Sequence, residues 1–206
     1  MINFKGMSLT TSVNVYVPSD DSFIAADVVE NLVAEFKGNK LDVLDMGSGT
    51  GILGLVAAKS PKVSSVIFAD INEDAVKMCK ENVNLNANLL HAKCVVKMSD
   101  LFSNVDGKFD ILIFNAPYLR SDKEDEKRGT ISKSWAGGPE GIDISIKFLK
   151  DATNHLRPGA KVVLVASSLS NLSKLKSEIK SLKLKELEEK KLHIFFEDIV
   201  VLILSL

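Results

Sequence analysis

Two spacings of apolar residues alternate along the 206-residue chain and lay out an α/β order. Over 9–17, Val13, Val15 and Val17 alternate with polar positions, which predicts an extended segment laid against the rest of the chain, closed by Pro18. Ser19-Asp20-Asp21-Ser22 then offers caps to a helix whose Phe23, Ala26, Val29, Leu32, Val33 and Phe36 recur at three and four, ending at Gly38-Asn39. The run from Leu41 to Met46 is a short apolar strand that breaks into glycines and restarts as a helix at Ile52, Leu53, Val56 and Ala57. Ser60-Pro61 stops that helix. A second strand, Val66 to Asp70, precedes a helix over 73–85 with an interior stripe of Val76, Cys79 and Val83 and a frayed end marked by Asn84, Asn86 and Asn88. Strands at 93–98 and 109–114 follow.

Beyond Tyr118 the period is lost. Arg120 to Arg128 mixes acids and bases that cancel, so 120–133 reads either as a solvated loop or, because it leaves a strand's carboxyl end, as a lid or partner-contacting loop. Trp135-Ala136-Gly137-Gly138-Pro139 leads into a helix packing through Ile142, Ile146, Leu149 and Ala152, stopped by Arg157-Pro158-Gly159. A fifth strand at 160–166 and an amphipathic helix through Leu172, Leu175, Ile179 and Leu182 come next. Strands at 184–188 and 193–204 then form an antiparallel hairpin, whose intervening Lys190-Lys191 specifies no turn type. Strands separated by helices imply a parallel sheet, and the count gives seven strands in a doubly wound mixed sheet. The expectation is one domain spanning 1–206, with an N-terminal extension over 1–38.

Chemistry enters at the strand ends. Gly47, Gly49 and Gly51 allow positive φ and close backbone approach at a helix start, a junction built to cradle a nucleotide. The Gly49-x-Gly51-x-x-Gly54 spacing with Asp70 downstream also satisfies the dinucleotide pattern, and an ordinary ligand-free glycine turn has the same form. Asp45 tilts the choice. A carboxylate just before the loop repels a pyrophosphate but attracts the ammonium and sulfonium of S-adenosylmethionine. Asp45, Asp70, Asp100 and Asn115 follow successive strands, so the topology brings them to one crevice. Asp70 suits ribose hydroxyls; Asp100 suits an adenine amine, with Leu101 as an apolar wall. Each also has a local alternative as a cap or Asx-turn. In Asn115-Ala116-Pro117-Tyr118, the Asn115 side-chain oxygen and the Ala116 carbonyl can accept from one NH2 group. Pro117 stiffens the loop and Tyr118 can lie against a planar group. That arrangement suits methyl transfer to a poorly nucleophilic planar nitrogen.

Charge narrows the classes. With 26 basic and 27 acidic residues, phosphate neutralisation alone is a poor route to nucleic acid. No stretch reaches the roughly 18 apolar residues of a membrane span, and residues 1–5 lack an export signal, so a cytoplasmic protein is expected. Two cysteines, Cys79 and Cys94, and three scattered histidines make no metal-binding pattern, and no metal is expected.

These motifs resemble the class I S-adenosylmethionine-dependent methyltransferases through Asp45-Met46-Gly47-Ser48-Gly49-Thr50-Gly51. More narrowly, the chain resembles the HemK-like protein-glutamine N5-methyltransferases, in their short archaeal and eukaryotic branch. Tyr16-Val17-Pro18-Ser19-Asp20-Asp21-Ser22-Phe23, Asn115 to Tyr118, and Trp135 to Gly141 carry that resemblance. The family usually has glutamate where Val17 stands and a second proline where Ala116 stands; alanine retains the carbonyl. The resemblance implies a Rossmann-like fold and a cofactor, S-adenosylmethionine, held by Ser22, Asp45, Gly47, Gly49, Gly51, Asp70, Ile71, Asp100, Leu101 and Asn115. It places Asn115, Ala116, Pro117 and Tyr118 at the reaction. It further implies a class 1 release factor as protein substrate, methylated on the glutamine of its Gly-Gly-Gln motif, and a small zinc-binding activator subunit. Because Asn-x-Pro-Tyr also occurs in enzymes that methylate exocyclic amines of RNA or DNA bases, that remains the alternative.

Overall fold

The computed structural model describes residues 1–122 and 136–206. Within them a seven-stranded sheet is built from β3 (Leu41–Met46), β4 (Val63–Asp70), β5 (Lys93–Met98), β6 (Phe109–Asn115), β7 (Leu156–Ser167), β8 (Lys185–Ile194) and β9 (Glu197–Ser205). Their order across the sheet is β5-β4-β3-β6-β7-β9-β8, the first five parallel and β9 antiparallel to both its neighbours. The mixed sheet with its terminal antiparallel hairpin is therefore as expected.

Central strands read as unbroken apolar runs because both faces are covered. Val43, Ile111, Ile113, Val163 and Val165 pack toward α1 (Asp20–Glu35), α2 (Ile52–Ala58) and α3 (Glu73–Leu85). Leu44, Met46, Leu112, Phe114, Val162 and Leu164 pack toward α4 (Asp143–Ala152) and α5 (Leu172–Ser181). The chain winds outward from β3 through β4 to β5, then crosses back to β6. The carboxyl ends of β3 and β6 thus flank the switch point where doubly wound sheets take ligands.

Four local expectations are corrected. The valine alternation over 9–17 forms no strand: Val15 is buried while Val13 and Val17 are exposed. Extended structure lies upstream, in a hairpin of β1 (Ile2–Phe4) and β2 (Met7–Leu9) turning on Lys5 and Gly6, both at positive φ. Asn86 marks no fraying. It is buried, its side chain bonds both the N–H and the carbonyl of Ser8, and Asn82 does the same for Thr10. Arg157-Pro158-Gly159 does not stop the helix, which ends earlier at Ala152; the three residues sit inside β7, in an irregularity between the pairs Phe109↔Leu156 and Ile111↔Lys161. Last, β8 runs through Lys190-Lys191, and the hairpin turns at Phe195-Phe196. Most of 120–133 lies outside the described residues, as does Trp135.

Candidate active site

β3 delivers Asp45 and Met46 to the switch point, and the chain then turns through Gly47 and Gly49 at φ 59° and 54°. The turn is tight: a Cβ on Gly47 would lie 3.0 Å from the Phe114 ring. Asp45 is 1% exposed, and its Oδ2 accepts from the Gly54 N–H at 2.8 Å. Burial pushes its carboxyl up to about 8; the Gly54 N–H opposes the shift and the charge of Asp70 adds to it. Among the described residues, no lysine or arginine pairs with Asp45. Asp70, also buried, braces the loop: Oδ2 accepts from the Gly49 N–H at 2.8 Å and Oδ1 from the Asn72 N–H at 2.9 Å. Burial raises its carboxyl too, against those same amides. Asn72 in turn caps α3, its side chain accepting from the Asp74 N–H.

A cavity of about 570 Å³ opens at the carboxyl ends of β3, β4, β5 and β6. Its wall includes Ser22, Asp45, Gly47, Gly49, Asp70, Ile71, Asp100, Leu101, and Asn115-Ala116-Pro117-Tyr118. Residues up to 96 positions apart therefore meet, and Asp45, Asp70, Asp100 and Asn115 converge as the strand-end argument required. Gly51 is the exception. At φ 85° it starts α2 facing inward, where an added Cβ would meet Cys79 Sγ at 2.8 Å, so it shapes the loop from behind. Asp100 stands at the rim, its side chain 59% exposed and 3.9 Å from the Lys147 ammonium.

The residue that organises the acceptor side was expected only to cap a helix. Asp20 and Asp21 both sit in the first turn of α1, but Asp20 is exposed whereas Asp21 is buried and accepts at both oxygens. Oδ1 takes the Tyr16 hydroxyl at 3.1 Å, the Ser19 hydroxyl at 2.9 Å, and the Ser22 N–H and hydroxyl at 2.6 and 3.1 Å. Oδ2 takes the Asn115 Nδ2 at 3.0 Å and the Tyr118 hydroxyl at 3.2 Å. Burial, and then the Asp21 charge, push Tyr16 up to about 12 and Tyr118 well above the usual phenol range. Both phenols stay protonated and donate. The opposite end of the amide, Asn115 Oδ1, is buried and accepts from no described residue. The sequence signal for Asp21 was its place between Pro18 and Phe23; two adjacent aspartates gave no means of choosing the inward one.

The chemistry of this wall fits S-adenosylmethionine. A buried carboxyl with no cation beside it among the described residues, next to a loop that a Cβ on Gly47 would crowd, favours a cationic ligand pressed against backbone. The sequence profile of the methyltransferase small domain family matches residues 12–132. A Methanocaldococcus jannaschii protein assigned by its name to the protein N5-glutamine methyltransferases is 34% identical over 98% of this chain and 97% of its own length. The release factor glutamine methyltransferase of Streptococcus pneumoniae is 30% identical over 79% of this chain but only 57% of its own. Among solved structures, the E. cuniculi Mtq2-Trm112 complex, responsible for methylating the eRF1 translation termination factor, matches with a TM-score of 0.63 at 19% identity. That match covers 94% of this chain and 99% of the other, a likeness of fold. Kinship along nearly the full length, on a fold whose strand ends converge as such chemistry requires, makes this chain a member of the methyltransferase small domain family, among the HemK-like class I methyltransferases.

Proposed function

We propose that the chain transfers a methyl group from S-adenosylmethionine to the side-chain amide nitrogen of glutamine in the Gly-Gly-Gln motif of a class 1 release factor, in the cytoplasm. The observation that carries this reading is Asn115, which lines the cavity with one end of its amide bound to Asp21 and the other a buried acceptor lacking a described donor. A buried acceptor left unpaired costs on the order of 1–3 kcal/mol, which a substrate NH2 would recover.

Bound in the cavity, S-adenosylmethionine would supply a methyl group activated by a sulfonium. Asp45 would face its ammonium, Gly47 and Gly49 would offer backbone to the methionine part, and Ser22 would lie at its carboxylate. Asp70, with lone pairs beyond those given to Gly49 and Asn72, would take the ribose; Ile71, Asp100 and Leu101 would flank the adenine. On the acceptor side, Asn115 Oδ1 and the Ala116 carbonyl would both accept from the glutamine NH2, fixing its plane and stabilising positive charge as it develops on nitrogen. Pro117 limits the loop's freedom and Tyr118 would cover the planar amide. We further propose a small zinc-binding activator subunit, in keeping with the fold likeness to a structure solved as a two-protein complex.

The test is incubation with release factor and methyl-labelled S-adenosylmethionine, followed by mass-spectrometric localisation. One methyl on the Gly-Gly-Gln glutamine, absent when that glutamine is substituted, is expected. Transfer only to RNA or DNA bases would overturn the reading. Activity unchanged by co-expression with an activator of this kind would count against the subunit.

A further inference from the structure

Asp21 lies within hydrogen-bond distance of six N–H and O–H groups, from Tyr16, Ser19, Ser22 twice, Asn115 and Tyr118, the Tyr16 and Ser19 hydroxyls also bonding each other at 2.7 Å so that one of the two donates there. A side chain so placed is an acceptor only, which decides an otherwise ambiguous matter. The two ends of an asparagine amide are nearly alike in shape, and at 3.0 Å from Asp21 only the Nδ2 end is tolerated. The carboxylate therefore sets which end of Asn115 is left over. With Asp21 in place the leftover end is oxygen; without it the amide can turn and offer NH2, which repels a substrate NH2.

We propose that Asp21 is a positioning residue that fixes the orientation of the Asn115 amide, so that the site presents an acceptor and selects planar NH2 groups. The same carboxylate also holds the Tyr118 hydroxyl at 3.2 Å, so one side chain at the start of α1 sets both acceptor-side residues after β6. Competence of the 115–118 loop is then conditional on seating of the 16–22 segment, 94 residues earlier in the chain from Asp21 to Asn115. The kinetic part of this inference rests on the glutamine reading above; the orientation part does not.

Reciprocal exchange tests it. Asp21→Asn alone lets the amide turn and should lower kcat for the release factor about 100-fold. Asn115→Asp alone sets two carboxylates face to face and should lose at least as much. Asp21→Asn combined with Asn115→Asp restores a donor facing an acceptor and leaves a carboxylate oxygen toward the substrate, so kcat should recover about tenfold over either single variant. A merely structural role for Asp21 predicts additive losses instead, and a double variant no better than the worse single one would overturn the proposal. A second measurement needs no substrate and no variant. In the 15N-labelled wild-type protein, the side-chain NH2 protons of Asn115 should exchange with solvent at least tenfold more slowly than those of an exposed asparagine. Exchange at the exposed rate would overturn the proposal. Slow exchange in a protein that transfers no methyl to glutamine would uphold the orientation and reject the substrate reading alone.

Discussion

Asp45 and Asp70 are both carboxylates placed by strand ends, yet burial keeps Asp45 protonated up to about pH 8 in the ligand-free chain. A native carboxyl above its unfolded value binds an extra proton between the ordinary carboxylate range near pH 4 and about 8. Stability should therefore fall as pH rises across that window and level off above it. Denaturant titrations of the wild type and of Asp45→Asn at intervals from pH 5 to 9 check this: the variant should show the shallower slope, the remainder coming from Asp70, which burial raises in the same direction. If, as proposed, the S-adenosylmethionine ammonium faces Asp45 and drives it to its ionised form, the same substitution should weaken binding by about tenfold or more in calorimetry, since an amide cannot ionise to meet the cation. Gly54→Ala should lose about 2 kcal/mol by denaturant unfolding, because its Cβ would lie 2.3 Å from the buried Phe68 ring and 3.0 Å from Asp45 Oδ2. At this scale the sequence was informative where topology sets position, as for Asp45, Asp70 and Asn115. It was silent where position depends on packing: nothing in the one-dimensional pattern separates Asp21, buried against β6, from Asp20 in solvent.

Elements were legible wherever a period persisted for two turns or five strand residues, which covers β3, α1, α3, β6 and α5. The β1–β2 hairpin was not, because each strand is three residues long, too short for a period, although Met7 and Leu9 are buried in the core and polar bonds add to that hold. Asn82 is fully buried, and besides bonding Thr10 it donates to the Thr50 carbonyl in the glycine loop. Asn82→Ala should thus cost about 2–3 kcal/mol, through several buried backbone groups left unpaired. Hydrogen exchange should quicken at Thr10 and at Gly51 before the central strands respond. Exchange quickening uniformly through β3 and β6 would show the anchor to be no more than part of the global core. The long final hairpin was foreseen, but its turn was misplaced because Lys190-Lys191 looks like a break. β8 is an edge strand, where exposed lysines and glutamates are the ordinary means of discouraging further strand pairing.

Across the whole molecule, chemistry and scaffold occupy opposite ends of the sheet. At the amino end, Arg157 in the β7 irregularity donates to Asp42 of β3 and Asp110 of β6, each at 2.6 Å. The cluster is partly exposed, so Arg157→Met should cost only about 1 kcal/mol, read as a small drop in the unfolding midpoint. S-adenosylmethionine affinity should be untouched; a weakened cofactor would show that the two ends are coupled through the strands. The general architecture was readable because a doubly wound order has few alternatives once strands and helices alternate. The antiparallel β9 adds a geometric result of its own. Since it runs opposite to β7, its leading turn emerges on the cavity side, with Glu197 on the cavity wall and Phe195 and Phe196 immediately before it, 89% and 95% exposed. A fluorophore installed in place of either ring would sit beside the cavity mouth, where a macromolecular substrate seated over the cavity, as proposed, should change its emission. It would register docking while leaving every sheet hydrogen bond intact.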